Sequence, residues 1–142
     1  MIKIILSFLL FVNLLNADTN YGSISIDEVT SIYDGDTFRV NINSYPKIIG
    51  HKMSVRLSNV DTPEIRGKCT QEKLLARKAK QFTVNFIRQA KSLQLRNMRK
   101  DKYFRIIADL YNQDNKNLAN ELIKNNLAVS YQGGKKLKDW CK

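Results

Sequence analysis

The stretch IYDGDTFRV, residues 32–40, decides how the chain is read. It sets two acids around a glycine, Asp34-Gly35-Asp36, between two runs that alternate apolar and polar residues and are rich in β-branched side chains: SISIDEVTSIY upstream and TFRVNI downstream. Glycine tolerates positive φ and aspartate bonds its own backbone, so the trio is a hairpin turn and the flanking runs are two antiparallel strands. A turn needs only one aspartate. The second one, on a chain of formal net charge +11, points to a task beyond turning.

Working outward, KMSVRLSNV (residues 52–60) puts Met53, Val55 and Leu57 on one face and Ser54, Arg56 and Ser58 on the other, a third strand that runs into DTPE. Pro63 and Gly67 break regular structure before a helix with Leu75, Ala79, Phe82, Phe86 and Ala90 at helical spacing and Thr70 as the expected N-cap. SLQLRNM then predicts a fourth strand with Leu93, Leu95 and Asn97 on one face, and YFRIIADLY a fifth, joined by RKDK. A second helix is expected after Asn117, its core face formed by Leu118, Ala119, Leu122 and Ile123, with Gly133-Gly134 closing the region. Three strands, a helix, two strands and a helix predict an α+β, mainly β fold: a five-stranded OB-fold barrel with two to three packed helices.

At 142 residues the chain has room for one domain. The opening MIKIILSFLLFVNLLNA, with an early lysine, an apolar run and a small residue at its end, has the outline of a secretory signal peptide. Its run from Ile4 to Leu15 is far shorter than the roughly 20 residues that span a bilayer. The expectation is a signal peptide over 1–17 and a mature domain over 18–142, secreted or periplasmic, with no stable membrane insertion after cleavage. Removing that segment takes away one lysine and no acid, so the mature chain stays strongly basic and a polyanion is its natural partner. In an oxidising compartment Cys69 and Cys141 have only each other to pair with; spacing alone leaves two free thiols as the alternative.

The lone histidine, His51, has no second His or Cys at ligand spacing, which argues against a zinc site or a Ser-His-Asp triad. Gly133-Gly134 lacks the length and strand context of a phosphate-cradling loop, and the residues around Asp34 lack the spacing of an EF-hand. What remains is carboxylates and arginines. Asp36, joined by a second acid at the end of a core strand, Asp61, makes a hard-oxygen site of the kind that takes Ca2+ or Mg2+. Asp34 reads as structural, buttressing the turn.

DGDTFRV, VRLSNVDTPE, DKYFRIIADL and NELIKNNLA, in that order and at these separations, resemble the staphylococcal nuclease (thermonuclease) family over about residues 24–131. The resemblance implies Ca2+ held by the carboxylates of Asp36 and Asp61 and the main-chain carbonyl of Thr62. It implies Glu64 as the base acting through water, and Arg56 and Arg105 as the guanidinium pair on the scissile phosphate. Lys102 and Tyr103 would line the nucleotide pocket. The family often has Gly before the strand-five arginine, where this chain has Phe104.

The function implied is a Ca2+-dependent phosphodiesterase that cuts DNA and RNA with little sequence preference and leaves 3′-phosphate ends, working as a monomer. The other reading is an OB-fold module that binds nucleic acid without turnover. A bound metal and two permanently charged, planar forks supply positive charge where a pentacoordinate phosphorane accumulates negative charge, so the residue types suit hydrolysis.

Overall fold

The computed structural model describes residues 19–142; the expected signal segment, 1–17, lies outside the described residues. In chain order the elements are β1 (Ile24–Ser25), β2 (Glu28–Ile32), β3 (Thr37–Asn41), α1 (Lys47–Gly50), β4 (Met53–Leu57), β5 (Val60–Asp61), α2 (Thr70–Gln89), β6 (Leu93–Lys100), β7 (Ile106–Asn112), α3 (Leu118–Lys124) and β8 (Val129–Ser130). Six strands form one mixed sheet in the order β1-β6-β7-β4-β3-β2, and β5 pairs with β8.

The sheet curls because the first predicted strand is two. Ile24 pairs with Leu95 at one edge, whereas Val29 pairs with Val40 at the other. The switch falls between Ile26, whose N–H donates to the Leu93 carbonyl, and Asp27, whose N–H donates to the Asn41 carbonyl. One short run of chain thus serves both edges, and the result is a half-barrel of the OB type in an α+β domain, as the order of elements predicts.

The inward faces are those that alternation indicates. Phe38, Val40, Met53, Val55, Leu57, Leu95 and Leu110 are buried together with Leu118, Ala119 and Leu122 of α3. Asn117 caps α3, its side-chain oxygen accepting the Asn120 N–H at 3.1 Å. Among the described residues no helix is long and apolar enough to cross a membrane.

Three local expectations are corrected. The N-cap of α2 is Cys69, not Thr70: the Cys69 sulfur accepts the Glu72 N–H, and Thr70 is already helical. Asn97 does not share a face with Leu95. It adopts a φ of 53° within a register shift between Arg96 and Arg99, which turns Met98 into the core in its place. The fifth predicted strand begins only at Ile106, so Arg105 lies in the turn before it.

Candidate active site

The DGD turn is shaped by close packing. A Cβ on Gly35 would meet Ala79 Cβ and Thr62 Cγ2, each at 2.9 Å, so only glycine lets the turn lie against α2 and the Thr62 loop. Thr83 of α2 donates to the Gly35 carbonyl at 2.7 Å, and Asp34 Oδ1 accepts the Asp36 N–H at 3.1 Å. Asp34 is therefore the turn's buttress. Asp36 is left pointing at the end of β4, where the Leu57 N–H donates to its carbonyl at 2.8 Å.

The acids converge there. Asp36 and Asp61 are almost fully buried, 1% and 2% exposed. Arg56, which pairs with Thr37 across β3 and β4, donates through Nη1 to Asp36 Oδ1 at 2.8 Å and holds Nη2 3.9 Å from Asp61 Oδ1. Asp36 Oδ1 also accepts the Thr37 hydroxyl, and Asp36 Oδ2 accepts the Thr62 N–H at 3.3 Å. The structure thus brings together Asp36, Arg56, Asp61 and Thr62. Glu64 joins them through a residue not singled out in the sequence: Lys136 Nζ lies 2.6 Å from Asp61 Oδ1 and 2.8 Å from Glu64 Oε1.

Lys136 comes from the tail, which β8 launches beside Asp61 by the pairing of Asp61 with Val129 and which the Cys69–Cys141 disulfide, Cα atoms 6.0 Å apart, ties down beyond Glu64. Burial works against the Lys136 charge, but the hydrogen bonds to Asp61 and Glu64 outweigh it and raise its pKa. A second residue missed in the sequence is Glu72. Nearly buried at the start of α2, it accepts the N–H groups of Glu64 at 3.3 Å and Lys68 at 2.8 Å and so holds the loop that carries Glu64. No local pattern marks either residue, since each gains its role from a fold-dependent neighbour.

The remaining expected residues form a separate group, and Arg105 lines a different hollow from Arg56. Asp101 accepts the Tyr103 N–H at 2.8 Å and a short contact from Arg105 Nε, so it knots the β6–β7 turn and holds Arg105. Arg105 lies 5.3 Å from the Tyr103 ring centroid and Lys102 5.0 Å. Phe104 sits at φ 53°, left-handed backbone in which glycine is natural, and Tyr103 and Phe104 are both exposed. A cleft of about 240 Å³ on the outer face is lined by Arg56, Val60, Lys100, Ile107 and Tyr131. Tyr131, not assigned a role from the sequence, stands on that cleft and donates its hydroxyl to the Gly134 carbonyl at 2.6 Å. A larger, apolar cavity of about 320 Å³ is lined by Tyr21, Met53, Met98, Phe104 and Arg105; neither hollow is lined by a carboxylate, and the smaller one is the one walled by Arg56, the partner of Asp36.

The donor set fits a hard divalent cation. Asp61 Oδ1 is buried and faces two cations, Lys136 Nζ at 2.6 Å and Arg56 Nη2 at 3.9 Å, and with the Asp36 carboxylate and the Thr62 carbonyl it offers only the oxygen donors that such an ion prefers. Cys69 and Cys141 lie beside Glu72, but their sulfurs are bonded to each other and supply no thiolate.

Burial, and then the charge of Asp36, push the Asp34 pKa up from 3.8 to about 7. A carboxyl that prefers its proton when folded contributes stability at low pH that is lost as pH rises from its unfolded pKa through its folded one. In chelator, Asp34→Asn, which keeps the acceptor for Asp36, is therefore expected to be more stable than the parent at pH 8, by up to about 4 kcal/mol, and equal to it at pH 3.5. Urea unfolding at both pH values checks this; a pH-independent difference would contradict it.

The structure thus sets a buried acid pair against a strand arginine, with Glu64 at its edge and a basic cleft carrying Tyr131 alongside. Comparison with curated proteins gave no match. A family profile described as staphylococcal nuclease homologue matches residues 54–139, more than half of the chain and the span from Arg56 to the tail that carries Lys136. The chain belongs to the staphylococcal nuclease family.

Proposed function

We propose that the protein is an exported, monomeric, Ca2+-dependent nuclease that hydrolyses phosphodiester bonds of DNA and RNA with little sequence preference, leaving 3′-phosphate ends. The observation that carries this reading is the convergence of two buried carboxylates, Asp36 and Asp61, on Arg56 at the wall of a cleft lined by basic and aromatic side chains. Asp36, Asp61 and the Thr62 carbonyl would hold the cation, which supplies Lewis-acid charge to the phosphoryl oxygens when bound.

The chain's own groups do the rest. Arg56, fixed by Asp36, directs its remaining N–H groups to the scissile phosphate, and Arg105, steadied by Asp101 and Tyr103, supplies the second fork. Glu64 is about half exposed, so its carboxylate meets water and takes the proton of the attacking molecule. The water oxygen bonds to phosphorus, the bond to the 5′ oxygen breaks, that oxygen takes a proton from solvent to leave as a hydroxyl, and the phosphate stays on the 3′ side. Lys102 and Tyr103 present a cation and an exposed ring to the nucleotide, and the strongly basic chain draws the polyanion in.

Incubating purified protein with plasmid DNA and with RNA is expected to give cleavage of both in Ca2+, a loss of at least about a hundredfold in excess chelator, and poor activity in Mg2+, whose strict octahedral demand suits a loop-built site badly. Undiminished cleavage in chelator would sink the calcium assignment. Binding without cleavage under any metal would favour the non-catalytic module.

A further inference from the structure

Of the tail lysines 135, 136, 138 and 142, only Lys136 pairs with site acids, and it pairs with two that have different duties: Asp61, a candidate metal ligand, and Glu64, the candidate base. Its placement is not accidental to the fold. The segment that carries it leaves from Val129, in register with Asp61, and returns at Cys141, bonded to Cys69 just beyond Glu64. Both ends of the tail are thus fastened to the two sides of the loop that bears the acids. Trp140, buried beside the disulfide, and the Tyr131 hydroxyl on the Gly134 carbonyl restrict the path between.

Lys136 also differs from Arg56 in how it is held. Its side chain is 41% exposed against 16% for Arg56, while its ammonium stands 2.6 Å from Asp61 Oδ1 and 2.8 Å from Glu64 Oε1. A long, partly exposed ammonium on a flexible stem can swing out to water without breaking the fold.

We propose that Lys136 is a built-in counter-cation of the acid site: its ammonium stands on Asp61 and Glu64 where a divalent cation would draw on the same oxygens, so that metal binding must displace it and its presence sets the site's metal affinity. The inference rests on the calcium reading above. Two consequences follow from like charges competing for one set of carboxylates. Removing the ammonium strengthens metal binding, and a second cation at the same position does not.

The test is calorimetric titration of Ca2+ into the disulfide-intact protein without substrate, for the parent, Lys136→Met and Lys136→Arg. Lys136→Met keeps the length of the aliphatic stem and is expected to bind Ca2+ about fivefold tighter, the upper end of what a partly exposed ion pair is worth. Lys136→Arg is expected to stay near the parent. A Lys136→Met dissociation constant equal to or weaker than the parent's would overturn the proposal, as would a Lys136→Arg constant as tight as that of Lys136→Met. If neither parent nor variants bind Ca2+, the calcium reading itself fails and takes this inference with it. If all bind equally, the calcium reading stands and only the role of Lys136 falls. A Cys69→Ser/Cys141→Ser protein that is folded by circular dichroism offers a second arm: with the tail untethered, its Ca2+ affinity is expected to move toward that of Lys136→Met, and an unchanged value would overturn the claim that the tether holds Lys136 in place.

Discussion

Arg56→Lys is expected to lose at least about a hundredfold in turnover on plasmid DNA while its affinity for the same DNA falls far less. The reason lies in how the guanidinium is shared. One nitrogen is committed to Asp36 at 2.8 Å, a second faces Asp61 at 3.9 Å, and the planar group still has N–H donors to aim at a phosphate. A lysine ammonium satisfies Asp36 but cannot hold that contact and a bidentate grip together, and losing one preorganised charge-stabilising donor costs about 10² to 10³ in rate. A basic surface that only neutralises phosphates would accept lysine almost as well as arginine. The measurement is kcat and KM on one substrate with thermal unfolding as the control for fold, because the Arg56 side chain is largely buried. Near-parental cleavage by a folded Arg56→Lys protein would refute the catalytic assignment of Arg56.

The second large effect concerns stability. The Cys69–Cys141 bond joins residues separated by 72 positions. In the chain-entropy account a loop of that length restricts the unfolded chain by about 4 kcal/mol. Cys69→Ser/Cys141→Ser isolates the cross-link well, since serine at position 69 can take over the N-cap of α2 that the cysteine sulfur now provides. The double variant is expected to lose about 2–4 kcal/mol in urea unfolding, a large share of the margin of a domain this size. An unchanged midpoint would contradict this, and two alkylatable thiols in protein purified from an oxidising compartment would show the bond absent.

Much of this molecule follows from local chemistry that a sequence displays. Alternation in KMSVRLSNV puts Met53, Val55 and Leu57 in the core because successive strand residues face opposite ways, and Asn117 caps α3 because its short side chain reaches the free N–H groups of the first turn. The doubling of acids at Asp34 and Asp36 is legible as one turn residue and one site residue. With the strand order known, Asp61 and Arg56 are natural companions of Asp36.

Other features needed the folded chain. The strand run from Ser23 to Tyr33 reads as continuous, yet it changes partners between Ile26 and Asp27, since closing a curled sheet is a requirement of the whole barrel and not of any window of residues. At Asn97 a backbone in the left-handed region shifts the register and exchanges Asn97 for Met98 in the core, against a side-chain pattern that runs through without a break. Glu72 looks like one more helix-surface acid until the loop from Glu64 to Lys68 lays its N–H groups on it. Lys136 is one of several tail lysines until the pairing of β5 with β8 and the disulfide bring it across 75 and 72 positions to Asp61 and Glu64. Periodicity and turn chemistry act over a few residues and are written locally. Which charge meets which acid depends on distances that exist only after the barrel closes, and Coulomb attraction between groups so far apart in sequence leaves no mark on their neighbours in the chain.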